Sequence, residues 1–178
     1  MTIGVEYLRI IADRLKSIKK LGDKTLEQLC TEELHWTFNQ ESNSIAVIVK
    51  HVGGNLVSRW TDFLHSDGEK PNRNREEEFI DSLLSKQEII DAWEHGWTVL
   101  FESISGLKEE DLQKTIKIRG EDHLVMDTIE RQLAHNAYHV GQMAYAGKMI
   151  KDKEWSSLSI PKGESEKFLQ EMLARHGE

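Results

Sequence analysis

Pro71 and Pro161 are the only prolines in a chain of 178 residues. Proline fixes φ and lacks the N–H that a helix interior needs, so a chain this poor in it can run helices unbroken for many turns. The apolar pattern agrees. Leu8, Ile11, Leu15 and Ile18 recur at helical spacing between Ile3 and Leu21, with an expected stop at Gly22-Asp23. Thr25 and Gln28 predict a capping box for a short piece at Leu26–Cys30, and Leu34, Trp36 and Phe38 alternate as an extended segment within a Thr31–Gln40 connector. Ser42, Asn43 and Ser44 are N-cap types before Ile45, Val49, Val52 and Leu56, which predicts a helix to about Leu64. Ser85 with Glu88 opens another helix, with Ile89, Trp93, Gly96, Trp97, Leu100 and Ile104 on one stripe.

Thr115–Arg119 alternates, and Gly120-Glu121-Asp122 offers a turn, so a short hairpin is expected there. Val125–Ile150 is the longest periodic stretch, and Glu164–Arg175 reads as a short final helix. The expectation is one all-α domain over residues 1–178: a four-helix bundle with a small β-hairpin before the last long helix. The connection between the second and third long helices is longer than antiparallel neighbours need, which leaves the topology open. Its segment SDGEKPNRNREEE, Ser66–Glu78, reads as a solvated loop with local ion pairs.

Charge removes several functions. Lys and Arg number 23 against 31 Asp and Glu, a net of −8, and no basic stripe of the kind that neutralises nucleic-acid phosphates is visible. No apolar run reaches the roughly 18 residues of a membrane span, and MTIGVEYLRI lacks the apolar centre of a secretory signal, so a cytoplasmic protein is expected. Cys30 is the single cysteine, which excludes an internal disulfide and a Cys-rich zinc site; no His or Asp sits at a spacing that would make it a nucleophile.

The eight histidines carry the remaining chemistry. His135 and His139 stand four residues apart at the edge of the apolar stripe of their helix, which puts two imidazoles on one face a turn apart. His51 holds the same edge position on the second long helix, so two facing helices could converge all three on one ion. The plainer alternative is three hydrogen-bonded structural histidines. His95 points away from its stripe, and His35, His65, His123 and His176 lie at element ends or in connectors without a partner at chelating spacing. Gly53-Gly54 beside His51 suits close helix packing or a ligand's approach, packing being favoured. The five tryptophans read as core and interface.

RQLAHNAYHVGQMAY (Arg131–Tyr145) resembles the last bundle helix of the DinB/YfiT-like superfamily, and SNSIAVIVKHVGGNLVSRW (Ser42–Trp60) with the following DFLHSDGEKPNRNREEEF resembles an uncharacterised branch of it. The resemblance spans about Tyr7 to Lys162 and implies one divalent metal ion held by His51, His135 and His139. Zinc is favoured, with nickel and iron allowed by the ligand type. That superfamily includes thiol-dependent transferases and proteins labelled as metal-dependent hydrolases. The expected function is therefore thiol S-transfer to a small electrophile, with a low-molecular-weight thiol as co-substrate. A metal-dependent hydrolase and a non-catalytic metal-binding protein are the alternatives. Transfer is preferred because no carboxylate is visible as a general base: Glu130 lies toward the outside of its helix, and Asp62 shares the His51 edge nearly three turns away. Asn55, Thr128 and Gln132 are expected polar neighbours of the site. A small-molecule substrate and a homodimer are the expected partners, without nucleic acid or membrane.

Overall fold

The structure is a computed structural model and describes residues 2–177. It is mostly helical, with six helices and one two-stranded antiparallel hairpin before the last long helix. The helices are α1 (Ile3–Glu27), α2 (Thr31–Leu34), α3 (Ile45–Trp60), α4 (Lys86–Gly106), α5 (Val125–Lys151) and α6 (Ser165–His176). Strands β1 (Thr115–Ile118) and β2 (Glu121–Leu124) pair with Ile118 opposite Glu121. Arg119 and Gly120 alone make the turn, both at positive φ (54° and 78°), the two-residue hairpin geometry for which glycine is suited. The turn therefore sits one residue earlier than the Gly120-Glu121-Asp122 expected.

Two boundaries depart from the sequence reading. The first helix does not stop at Gly22-Asp23. The Trp93 ring of α4 packs against Gly22, where any Cβ would collide with it, and Trp93 Nε1 donates to Asp23 Oδ1 at 2.7 Å. Both residues are helix–helix contact residues, and Thr25 is an interior position bonding back to Leu21 O rather than a cap. The first part of the expected extended connector is instead helix α2, opened by the Glu33 carboxylate accepting the Cys30 N–H at 2.8 Å, with Leu34 buried, while residues 35–40 remain an irregular connection. At the other end of the same region, α3 stops at Trp60 rather than Leu64. The chain then turns at Asp62 (φ 48°) and folds Phe63 back onto the Trp60 ring, centroids 4.3 Å apart.

The four long helices form a ring of neighbours: α3 against α4, α4 against α1, α1 against α5, and α5 against α3. Their directions follow from which residues meet. Gly53 lies against Ala92 and Gly96 while Trp60 O accepts from Ser103, so α3 and α4 run parallel. Tyr7 reaches Glu130 and Gly147 abuts Thr25, so α1 and α5 are parallel as well. His51 meets His135 while Trp60 meets Gln132, so α3 and α5 are antiparallel. The long 61–85 connection is the return needed to start α4 beside the start of α3, which answers the topology question. Trp60, Trp93 and Trp97 are fully buried in the shared core, each such ring adding on the order of 2–3 kcal/mol by removal of apolar area from water. Trp36 and Trp155 stay at the periphery. No residue of α6 is buried. Among the described residues no helix is long and apolar enough to cross a membrane.

Candidate metal centre

His51, His135 and His139 converge, each offering a ring nitrogen that lies within 4.8 Å of the others'. Antiparallel α3 and α5 bring this about, because the polar edge of one apolar stripe faces the polar edge of the other, and on α3 this contact buries His51. Ring centroids are 4.6 to 5.3 Å apart, and Nε2 of His51 is 3.3 Å from Nε2 of His135. Zn–N bonds of about 2.05 Å in a tetrahedron separate the nitrogens by about 3.3 Å, so the spacing of this pair is compatible with two ligands of one ion. His95, the exposed histidine of α4, and His35, His65, His123 and His176 take no part.

Acceptors outside the triad fix which nitrogens of His51 and His139 are free. Glu78 Oε2 lies 2.9 Å from His51 Nδ1, and an ionised carboxylate can only accept, so Nδ1 carries the hydrogen and Nε2 keeps its lone pair. Gln142 Oε1 does the same for His139 Nδ1 at 2.9 Å. Behind His135, Gln132 is oriented by Trp60, whose Nε1–H donates to Oε1 at 3.0 Å; its amide nitrogen then donates to Asn136 Oδ1 at 2.8 Å and Asn55 Oδ1 at 3.2 Å. Burial, followed by the neighbouring His139 and His51, pushes the pKa of His135 down to about 4, and burial lowers His139 also. Neutral imidazoles are the form that ligates a metal.

Glu78, its partner Arg73 and the His139 acceptor Gln142 are the site residues the sequence reading missed. Glu78 sits in a 3-10 turn, Glu76–Phe79, within the stretch expected to be a solvated loop, and its side chain is buried. Burial opposes its ionisation, but hydrogen bonds from His51 and Arg73 outweigh burial and hold the carboxyl below its ordinary range. Arg73 Nε donates to Oε1 at 2.7 Å and a terminal nitrogen to Oε2 at 2.8 Å, a two-pronged grip. The Arg73 side chain is itself buried and also pairs with Glu69. Room for this carboxylate comes from Gly54, where a Cβ would stand 2.6 Å from Glu78 Oε1. Gly53 serves packing: its Cβ would meet Ala92 O at 2.7 Å. Phe79 stacks on the His51 ring at 4.7 Å.

The other expected neighbours divide. Asn55 and Gln132 line a cavity of about 180 Å3 beside His51 and His135. Thr128 does not; its hydroxyl is spent on Leu124 O at the start of α5. Asp62 is exposed beyond the end of α3, and Glu130 faces Tyr7 of α1. A larger cavity of about 520 Å3 lies across the Arg73–Glu78 pair toward α4, and none of the three histidines lines it.

A mostly helical protein with a three-histidine candidate metal centre is the class that fold and geometry define. The chain belongs to the family described as a protein of unknown function (DUF1572), which it matches over residues 2–164. No curated protein matches it.

Proposed function

We propose that this chain is a DinB/YfiT-like four-helix bundle that binds one divalent metal ion through His51, His135 and His139 and transfers a small thiol to an electrophile. The observation that carries the metal reading is the pairing of convergent imidazoles with outer acceptors: Glu78 and Gln142 turn two of the three rings so that Nε2 faces inward. Three neutral nitrogen donors suit zinc, nickel or iron. A bound ion supplies Lewis acidity that favours the deprotonated form of a thiol or of water.

The residues around the centre favour the thiol. A hydrolase benefits from a carboxylate placed as general base, yet Glu78, the carboxylate that reaches the triad, is committed to His51 and Arg73. Among the described residues no carboxylate lines the adjoining cavity. Asn55, held by Gln132 through its Oδ1, can orient a polar substrate there without taking its proton.

Cobalt substitution tests this reading. Adding a small thiol to the cobalt protein is expected to produce a sulfur-to-cobalt band in the near ultraviolet with release of a proton, because the thiolate is the ligating form. Turnover of a chromogenic aryl halide should require the thiol and saturate with it. Cleavage of ester or amide substrates without thiol, with thiol acting only as inhibitor, would replace transfer by hydrolysis. Metal bound with neither activity leaves a non-catalytic metal-binding protein.

A further inference from the structure

The cavity flanked by His51 and His135 has an unusual wall for a chain of net charge −8. Five arginines line it: Arg59, Arg73, Arg75, Arg119 and Arg131. Two carboxylates lie behind that wall: Glu78 binds Arg73, and Glu69 is shared by Arg73 and Arg119. Five positive charges against these two leave the cavity at 5 − 2 = +3. Arg75 lies over the Phe79 ring, 5.5 Å from its centroid. Arg59 and Arg131 have no carboxylate at ion-pair distance among the described residues.

Arg59 is the decisive member. It is only 8% exposed, and its Nε is buried without any hydrogen-bond partner. Taking a guanidinium out of water without a counter-charge is costly and is kept only where something repays it. Burial, then the positive charges of Arg131, Arg73 and Arg119, lowers its pKa to about 10, still far enough above neutrality to keep it charged. Position on the helices ties this arginine to the metal centre. His51, Asn55 and Arg59 follow at four-residue intervals on α3, and Arg131, His135 and His139 do so on α5. Each helix thus carries its histidine ligands and an unpaired arginine along one stripe, facing the other helix's stripe.

We propose that this cavity is the subsite for an oxyanionic group, a carboxylate or a phosphate, of the small molecule that reacts at the centre. Arg59 is its buried anchor, and Arg131 is the arm that closes on it from the solvent side. Planar guanidinium donors match both oxyanions in two-pronged fashion. The cavity admits a group of that size rather than a polymer, and its local positive field would draw an anion to an otherwise acidic molecule. The assignment of this anion as substrate rests on the metal reading; its binding does not.

Titration calorimetry with inorganic phosphate, and separately with acetate and maleate, on chelator-treated and zinc-loaded protein tests it. Saturable one-to-one binding of at least one anion is expected in both forms, and the arm that saturates at lower concentration names the group. Arg59→Met, which keeps the volume and removes the charge, and the exposed Arg131→Ala should each weaken that binding about tenfold or more. Arg14→Ala, on the remote face of α1, should not. No saturation by any of the three up to about 10 mM, a level corresponding to only about 3 kcal/mol, overturns the proposal. So does binding that neither arginine variant changes. Zinc uptake without anion binding would sink this inference alone, and anion binding by a chain that takes up no metal would sink the metal reading alone.

Discussion

Nδ1 of His51 and Oε2 of Glu78 are 2.9 Å apart, joining a helix residue to one 27 positions later in an irregular connection. Arg73 locks the far side of that carboxylate, so the orientation of one imidazole depends on the whole 61–85 return. Outer partners of this kind are worth about 10–100-fold in metal affinity. Glu78→Gln keeps an acceptor but loses the charge and is expected to weaken zinc binding within that range, read by competition against a chromogenic chelator. Unchanged affinity would remove Glu78 from the site.

Gly54→Ala probes the same carboxylate from behind. The added methyl falls 2.6 Å from Glu78 Oε1, so the carboxylate must move and metal affinity should drop as in Glu78→Gln, with helical content retained. Gly53→Ala meets backbone at Ala92 instead. It should cost about 1–3 kcal/mol of stability through forced separation of α3 and α4. Urea melts and metal titrations of the two variants side by side separate the roles.

His135→Ala and His139→Ala should each abolish stoichiometric metal binding while the far-ultraviolet circular dichroism stays helical. His95→Ala, on the exposed face of α4, should leave metal content unchanged. Metal analysis of the purified variants checks all three, and a full equivalent retained by either ligand variant refutes the assignment.

A pH effect is expected at Asp67, whose carboxylate accepts the backbone N–H of Glu69 at 2.8 Å, of Arg119 at 2.8 Å and of Gly120 at 2.7 Å. The Glu69 hydrogen bond, then those of Gly120 and Arg119, outweigh burial and lower its pKa below the ordinary 3.8. A depressed carboxylate stabilises the fold above its unfolded value, and that contribution disappears as pH falls through the folded one. Asp67→Asn should therefore cost about 1 kcal/mol of stability at pH 7 after solvent screening, read as a lower Tm. The difference from the parent should shrink as pH drops below 3.8. A gap that persists in acid would assign the effect to shape instead of charge.

The periodic parts of the chain disclosed themselves. Leu8, Ile11 and Leu15, or Ile89, Trp93 and Trp97, repeat because a helix must hide one stripe, and such a signal needs no knowledge of the partner. The two facing histidine edges were legible for the same reason. Glu78 was not, because the feature that makes it a site residue is tertiary: an acidic run in a polar loop looks alike whether it is solvated or tucked behind Gly54. Gly22-Asp23 misled in the opposite sense, since a glycine that receives a tryptophan ring is spelled like one that ends a helix. Arg59 and Arg131 did leave a trace. Each stands on the stripe of its helix's histidines, eight residues after His51 and four before His135, and a basic residue on a half-buried edge is a signal once the edges are known to face each other.

The helices assort into two parallel pairs, α3 with α4 and α1 with α5, and the three histidines straddle the seam between them. An ion held there would be a rivet through two plates, joining segments 84 residues apart in the chain. Only the assembled molecule presents all three donors, so metal occupancy would add cohesion between the plates. With a chelator drawing such a rivet, the seam would become the weakest line. Amide exchange along the Gln132–His139 face should then accelerate well before the Gly53–Gly96 crossing inside the α3–α4 plate begins to yield.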